Sequence, residues 1–422
     1  MTSRARAWFQ LVLAGTGLLA CFAKNGAAQT WIFSDGFELG AVDGWGSTDE
    51  EILRTRIAGP PVSSAGVAAL LGVLAGRSGF PIGTEGGTFL FATDCQSVVP
   101  GLVGDFNGWV PVAMNANGSL CWKEVSIATP EDSAYRFDFE GTEQPDGFAR
   151  RYVYAEDGER SLVRSVGGHL ERWLGLGPSV GLLPRELEIW LPESGAFDRI
   201  LYLQDGQNLF DPDASFGGWS LQSALPAGVL AVGIHNTVER LDEYTPFPDD
   251  FSGSALGGRG DDYADLVHLV VRPFVESRYG AGSVRGVLGS TLGGLIALHI
   301  AQRFPGEYDF AGSMSGSLGW GSIGTHTETL LERAQAAGLG TTVIYLDSGG
   351  SGTCTDGDAD GIQDDGADTD NFCVTLQMRN ILQGVGYSLE SDLFYLWDMG
   401  APTNESAWSA RVSTPLQVFA AL

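Results

Sequence analysis

Val284-Arg285-Gly286-Val287-Leu288-Gly289-Ser290-Thr291-Leu292-Gly293-Gly294-Leu295-Ile296-Ala297-Leu298-His299-Ile300 runs from an apolar stretch, through a cluster of small residues, into a segment of helical spacing. Residues 284–288 are short, β-branched and bounded by glycine, the pattern of a buried strand. From 293 to 304 the apolar residues keep a helical period, and Pro305 marks the stop. A strand that turns directly into a helix is the building unit of a parallel sheet. Outward from it the alternation continues, with strands predicted at 187–191, 200–203, 229–234, 342–346 and 393–397 and a helix at 263–278. Residues 185–422 therefore read as α/β, a mostly parallel sheet with helices on both faces.

The 422-residue chain is long enough for two cores and a leader. Its 52 acidic and 24 basic residues give a net charge of -28, which repels phosphate backbones and anionic headgroups and argues against nucleic-acid partners. Arg4 and Arg6 precede an apolar stretch from Ala7 to Ala23 and the small residues Gly26, Ala27 and Ala28, so residues 1–28 read as a secretory signal peptide with no membrane span. The protein is expected to be secreted or periplasmic. Leu18-Leu19-Ala20-Cys21 is a weak lipobox, making Cys21 a candidate lipid anchor of a less favoured outer-membrane form. Residues 29–87 read as an envelope-type segment followed by a Gly/Ala/Pro/Ser-rich linker. Ile32 to Glu38, with Trp45, resembles a segment common in exported proteins of Gram-negative bacteria. Short apolar runs between turn residues predict a small all-β sandwich over 88–165, and 166–184 reads as a second linker. The remaining cysteines suggest two disulfides, Cys95 with Cys121 and Cys354 with Cys373, by proximity in sequence.

Val103-Gly104-Asp105-Phe106-Asn107-Gly108-Trp109 resembles the hallmark of early-set, immunoglobulin-like domains, some of which bind α-glucans. Trp109 and Trp122 would be the sugar platforms; core packing is the favoured reading for both.

In the C-terminal half a series of landmarks falls in order: Leu201-Tyr202-Leu203-Gln204-Asp205-Gly206-Gln207-Asn208, Val232-Gly233-Ile234-His235-Asn236, Arg240 with Glu243-Tyr244-Thr245-Pro246, Gly289-Ser290-Thr291-Leu292-Gly293-Gly294, and Gly400-Ala401-Pro402-Thr403-Asn404-Glu405-Ser406-Ala407-Trp408. The series is similar to the esterase family of α/β-hydrolases that includes enterochelin esterases, feruloyl esterases and mycolyltransferases. The resemblance implies an α/β-hydrolase fold and carboxylic-ester hydrolysis without a catalytic cofactor. It places the nucleophile at Thr291, the oxyanion donors at Leu292 and Gln207, and the base at Thr403, where the family has histidine. Asp347 and Asp356 are alternative candidates for the acid.

Threonine at the elbow adds a methyl group where φ is usually positive, a conformation disfavoured for β-branched residues. A threonine hydroxyl at 403 cannot take up a proton near neutral pH. His235, at a strand end, is the only histidine on the edge where such sheets carry their sites, and the usual strand order leaves it about 10 Å away. The chain is thus expected to be a pseudoenzyme or very weak esterase that retains a cleft for an ester or glycan-type ligand. The competing reading is an active carboxylic-ester hydrolase using Thr291 with an unrecognised base.

Between Cys354 and Cys373, Asp356, Asp358, Asp360 and Asp364 alternate with small residues in the manner of thrombospondin type 3 and dockerin calcium loops. A structural calcium ion is expected there, against the alternative of a solvated acidic turn.

Overall fold

The computed structural model describes residues 48–177, 181–251, 253–363 and 370–422. The leader, Cys21, the segment up to 47 and Asp364 lie outside the described residues. The chain divides into two compact units, 48–177 with 184–196, and 181–183 with 197–422.

The N-terminal unit contains two antiparallel sheets. One has the order Ile82–Gly83, Thr88–Asp94, Leu120–Ser126, Asn115–Asn117. The other runs from Arg185–Leu191 through His169–Leu176, Arg151–Ala155, Gly158–Leu162 and Ala134–Phe139 to Gly101–Gly104 and Val112–Ala113. Period-2 alternation along Thr88–Asp94 explains its two-sided burial. Phe89 and Phe91 face a core shared with Leu102, Tyr135 and Phe137, while Leu90 and Ala92 face the opposite way. That opposite face is covered by two helices, Asp49–Ala58 and Ser64–Arg77, through Leu53, Val67, Leu70, Leu71 and Leu74.

The sequence-based boundaries are corrected here. Most of 51–87 is not a linker, because its alanines and leucines form capped helices with buried faces; Thr48 and Glu51 complete a capping box. Nor is 166–184 a linker throughout, since His169–Leu176 is a strand paired with Arg185–Leu191, which belongs to this unit rather than to the C-terminal one. Trp109 and Trp122 are half-buried, and neither joins the core between the sheets. Trp122 packs against the helical face, and Trp109 donates its indole N–H to Asp105 at 2.9 Å. Cys95 and Cys121 form a disulfide in this unit, and Cys354 and Cys373 form one in the other, the two expected pairings.

The C-terminal unit is built on a parallel sheet of β1 (Arg199–Gln204), β2 (Val229–Ile234), β3 (Val284–Ser290), β4 (Phe310–Met314), β5 (Val343–Ser348) and β6 (Leu393–Trp397). Their order is β2-β1-β3-β4-β5-β6, every pair parallel. The reversal beside β1 and β3 is where such sheets open a crevice at their carboxyl ends. Helix α1 (Leu292–Arg303) follows β3, α2 (Phe372–Gly384) precedes β6, and α3 (Glu405–Arg411) follows it. Strand β4 was not expected from sequence. The helix predicted over 263–278 is present in three parts, Gly260–Leu266, a π-turn at Val267–Val271, and Arg272–Tyr279.

Candidate active site and its neighbourhood

The β3–α1 junction is a sharp elbow. Thr291 caps α1 with φ 49° and ψ −120°, a strained backbone for a β-branched residue. Small neighbours make the turn feasible: a Cβ on Gly289 would lie 2.4 Å from the Gly293 carbonyl oxygen, and one on Gly294 would lie 2.5 Å from Ser313 Oγ. The Thr291 N–H donates to the Met314 carbonyl at 3.0 Å, and its own carbonyl accepts from Gly294, Leu295 and Ser317. Leu292 is the first residue of α1, so its N–H belongs to the set that has no intrahelical acceptor.

Beside β3, β1 ends at Gln204 and is followed by Asp205, at φ 58°, and a 3₁₀ turn over Gly206–Asn208. Gln207 lies in that turn, half-buried, and its side-chain oxygen accepts the Asn236 N–H at 3.2 Å. Asp205 is held by Arg240 through two contacts of 2.7 Å, by the Asn236 side chain at 2.6 Å, and through its own N–H by the Tyr244 hydroxyl at 3.2 Å. Arg240 reaches further, donating from Nη2 to Thr291 Oγ1 at 3.3 Å. The elbow hydroxyl therefore accepts from a permanent cation.

Thr403 lies between β6 and α3, with Oγ1 buried and no hydrogen-bond partner among the described residues. Asn404 caps α3 through Ala407 N–H at 3.0 Å. Glu405 accepts from Asn208 Nδ2 at 2.8 Å, which ties the start of α3 to the Gly206–Asn208 turn. Burial, with the negative charge of Asp205 adding to it, pushes the Glu405 carboxyl up to about 7, against the pull of Asn208 and Arg240.

Asp347 is fully buried in β5. Its Oδ1 is 3.0 Å from Arg411 Nη2 and its Oδ2 accepts from the Tyr345 hydroxyl at 3.1 Å. Arg411, on α3, also donates to Ser315 Oγ at 3.2 Å. Burial raises the Asp347 carboxyl and the arginine opposes that rise. Asp347 is thus committed to an internal ion pair.

The second acid candidate, Asp356, is exposed and accepts the N–H groups of Asp360 and Gly361 at 3.1 and 3.0 Å. Carboxylate oxygens of Asp356, Asp358 and Asp360 lie within 4.8 Å of one another. Asp360 also accepts from Ser322 Oγ, and its Oδ2 is 3.4 Å from His326 Nδ1.

None of the five histidines stands in the β6–α3 segment that carries Thr403. His235 follows β2, and β1 separates that strand from the elbow strand, two sheet spacings of about 4.8 Å each. His268 stacks on Phe304 with centroids 3.9 Å apart, and His299 Nε2 is 2.8 Å from Asp261. His169 opens a strand, where sequence reading had a linker. Sequence reasoning also missed the roles of Arg240, Glu405 and Arg411; Arg240 and Glu405 stood inside quoted landmarks, whereas nothing local marked Arg411.

Residues 183–391 match the family model described as "Putative esterase". Uncharacterized protein YbbA of Bacillus subtilis is 31% identical over 146 residues, which cover 32% of this chain and 57% of that protein. The chain thus matches little more than half the length of that relative. Among solved structures, an IroE-like serine hydrolase from Shewanella oneidensis has a TM-score of 0.46 at 20% identity, covering 60% of this chain and 80% of that one. The enterochelin esterase of Shigella flexneri has 0.45 at 12% identity, covering 79% and 92%. MPT51 of Mycobacterium tuberculosis has 0.43 at 16%, covering 60% and 98%. The family match spans just under half of the 422 residues and lies almost wholly in the C-terminal unit. No helix among the described residues is long and apolar enough to cross a membrane.

Proposed function

We propose that the C-terminal unit is an esterase-type scaffold that has lost its proton-transfer chemistry and kept a binding cleft, in a protein exported to the periplasm or beyond. One observation carries this reading: the Thr291 hydroxyl meets the Arg240 guanidinium at 3.3 Å, and the family's base position holds Thr403. A hydroxyl nucleophile needs an adjacent group that can accept its proton, and a guanidinium cannot do so at ordinary pH. Thr403 has no basic atom. The buried pairing of Asp347 with Arg411 extends the loss, since an acid committed to arginine has no histidine to orient.

What remains is donor chemistry. The Leu292 N–H at the start of α1 and the Gln207 turn fit the two donors that hold an acyl oxygen, so a carboxylic ester or acid is the ligand the cleft suits best. Export is supported by the leader sequence and by two disulfides, which persist in oxidising compartments. A structural calcium ion held by Asp356, Asp358 and Asp360 is part of the same reading, supported by their convergence and by the cost of clustering carboxylates without a cation.

The test is hydrolysis of p-nitrophenyl acetate by the purified mature chain. We expect turnover at the level of Thr291→Ala. Ordinary esterase rates abolished by that substitution would establish the active-hydrolase alternative and overturn the proposal.

A further inference from the structure

The parallel sheet of the C-terminal unit ends in an unguarded edge. β6 closes the order β2-β1-β3-β4-β5-β6, and no further strand lies beyond it among the described residues. Along β6 successive residues turn their backbone groups to opposite sides. The Ile344 N–H reaches the Asp392 carbonyl at 2.9 Å and the Asp398 N–H reaches the Ser348 carbonyl at 3.0 Å, so residues 392, 394, 396 and 398 face β5. Leu393, Tyr395 and Trp397 face the other way. Leu393 is engaged by the turn before it, donating to the Ser388 carbonyl at 3.2 Å and accepting from the Glu390 N–H at 2.9 Å. The backbone N–H and C=O of Tyr395 and Trp397 have no partner among the described residues.

Natural sheets blunt such edges with very short strands, proline, bulges or charges. The N-terminal unit does so: its edge strands Ile82–Gly83 and Val112–Ala113 are two residues each and follow Pro81 and Pro111, and Asn115–Asn117 is three small or polar residues. β6 is five residues, Leu-Phe-Tyr-Leu-Trp, with neither proline nor charge. At its end Trp397 is 42% exposed, held by its indole N–H to the Gly350 carbonyl at 3.1 Å and by stacking on Phe372 with centroids 5.0 Å apart. Met399, beyond it, is 70% exposed. The described part of the acidic loop turns toward β4 instead, where Asp360 meets Ser322 and His326 in the segment that follows that strand.

We infer that β6 is a docking edge for an extended segment of a partner protein, apolar in its middle and basic at its ends, which adds to the sheet as a further strand. Main-chain bonds to Tyr395 and Trp397 hold such a strand, and the flanking side chains select it. Glu390 and Asp392 precede β6 and Asp398 follows it, whereas the neighbouring base, Arg379, lies over the Tyr395 ring at 4.8 Å. Both ends of the edge are therefore acidic. A second copy of the chain fits badly. Two-fold pairing is antiparallel, and centred on Tyr395 it would set each Asp392 against an Asp398 while bringing together two chains of net charge -28.

The probe is a terminally blocked peptide of alternating threonine and valine with a lysine at each end, dye-labelled and titrated with the mature chain by fluorescence anisotropy beside its counterpart ending in glutamates. We expect the lysine peptide to bind, the glutamate peptide to bind at least about 10-fold more weakly, and high salt to narrow the gap. Hydrogen exchange should slow at the Tyr395 and Trp397 amides when the lysine peptide is added, and stay unchanged at Phe394 and Leu396, which already face β5. Tyr395→Pro removes an outward N–H and no bond to β5, so it should abolish binding. Asp392→Asn with Asp398→Asn should erase the preference between the peptides. Should the proline variant not fold, the exchange measurement on the wild-type chain decides. No binding of the lysine peptide, equal binding of the two, or protection confined to other elements would overturn the inference. So would protection of Tyr395 and Trp397 that rises with protein concentration in the absence of peptide, because the edge would then belong to a second copy. None of these readouts depends on the chemistry of the cleft.

Discussion

Replacing Glu405 with glutamine should make the C-terminal unit more stable at alkaline pH while leaving it unchanged in acid. The carboxyl is pushed from an ordinary 4.5 up to about 7 in the folded chain, first by burial and then by the Asp205 carboxylate, with Asn208 and Arg240 opposing. Arg240 already gives both its short contacts to Asp205, which leaves Glu405 with a neutral amide as its close partner. A carboxyl whose folded value is raised holds its proton more tightly folded than unfolded. Stability from this group is thus fully present below about pH 4.5 and is lost as pH rises through about 7. The shift of about 2.5 units, at about 1.4 kcal/mol per unit, amounts to roughly 3 kcal/mol. Glutamine keeps an oxygen to accept from Asn208 and carries no charge, so Glu405→Gln should gain on the order of 2–3 kcal/mol at pH 8 and almost nothing at pH 4.5. Urea unfolding of both proteins at half-unit intervals from pH 4.5 to 8 measures this. The difference between the two curves isolates Glu405 from other groups, including Asp146, which burial raises to about 6 in both proteins. Two curves that run parallel across the range would refute the reasoning.

Removing one partner of the buried Asp347–Arg411 pair leaves an uncompensated charge, so Arg411→Met should cost roughly 3–5 kcal/mol in urea unfolding, and Arg411→Met combined with Asp347→Asn should recover much of that loss. The double reversion Thr291→Ser with Thr403→His should raise p-nitrophenyl acetate turnover yet stay about 10⁴-fold below a complete triad, because Asp347 is engaged by Arg411; a fully active revertant would show that an acid still serves the new histidine. Calcium should raise the melting temperature of the mature chain, and Asp358→Asn should weaken that response; identical melts with calcium and with chelator would dismiss the site. Cys354→Ser with Cys373→Ser, opening a 19-residue separation, should cost about 3 kcal/mol by urea unfolding.

Much of the architecture was legible because the determining signals are local. Apolar runs, glycines and Pro305 placed the elbow strand and its helix almost to the residue. The helix at Ser64–Arg77 was misread because its alanines, glycines and serine have the composition of a linker, and packing against Leu90 and Ala92 reveals it, with the charged Asp49–Ala58, as a covering layer. Strand β4 hid for a related reason. Its centre is Gly312, where an added Cβ would lie 2.4 Å from Leu288 Cδ1 on the adjoining strand, so close strand packing demands the residue that weakens the strand signal.

The site divided along the same line. The family resemblance assigned candidate positions for nucleophile, oxyanion donors and base, since each stands beside a turn with its own residue signature. It could not show what those positions touch. Whether Thr291 faced a base or a cation depended on Arg240, 51 residues earlier in the chain, and whether Asp347 was free depended on Arg411, 64 residues later. A threonine can act as a nucleophile if a base is beside it, and an acid can be recruited if it is unpaired. Here the elbow hydroxyl accepts from one arginine and Asp347 is paired with another, so under the proposed reading restoring serine and histidine alone would still leave Asp347 engaged.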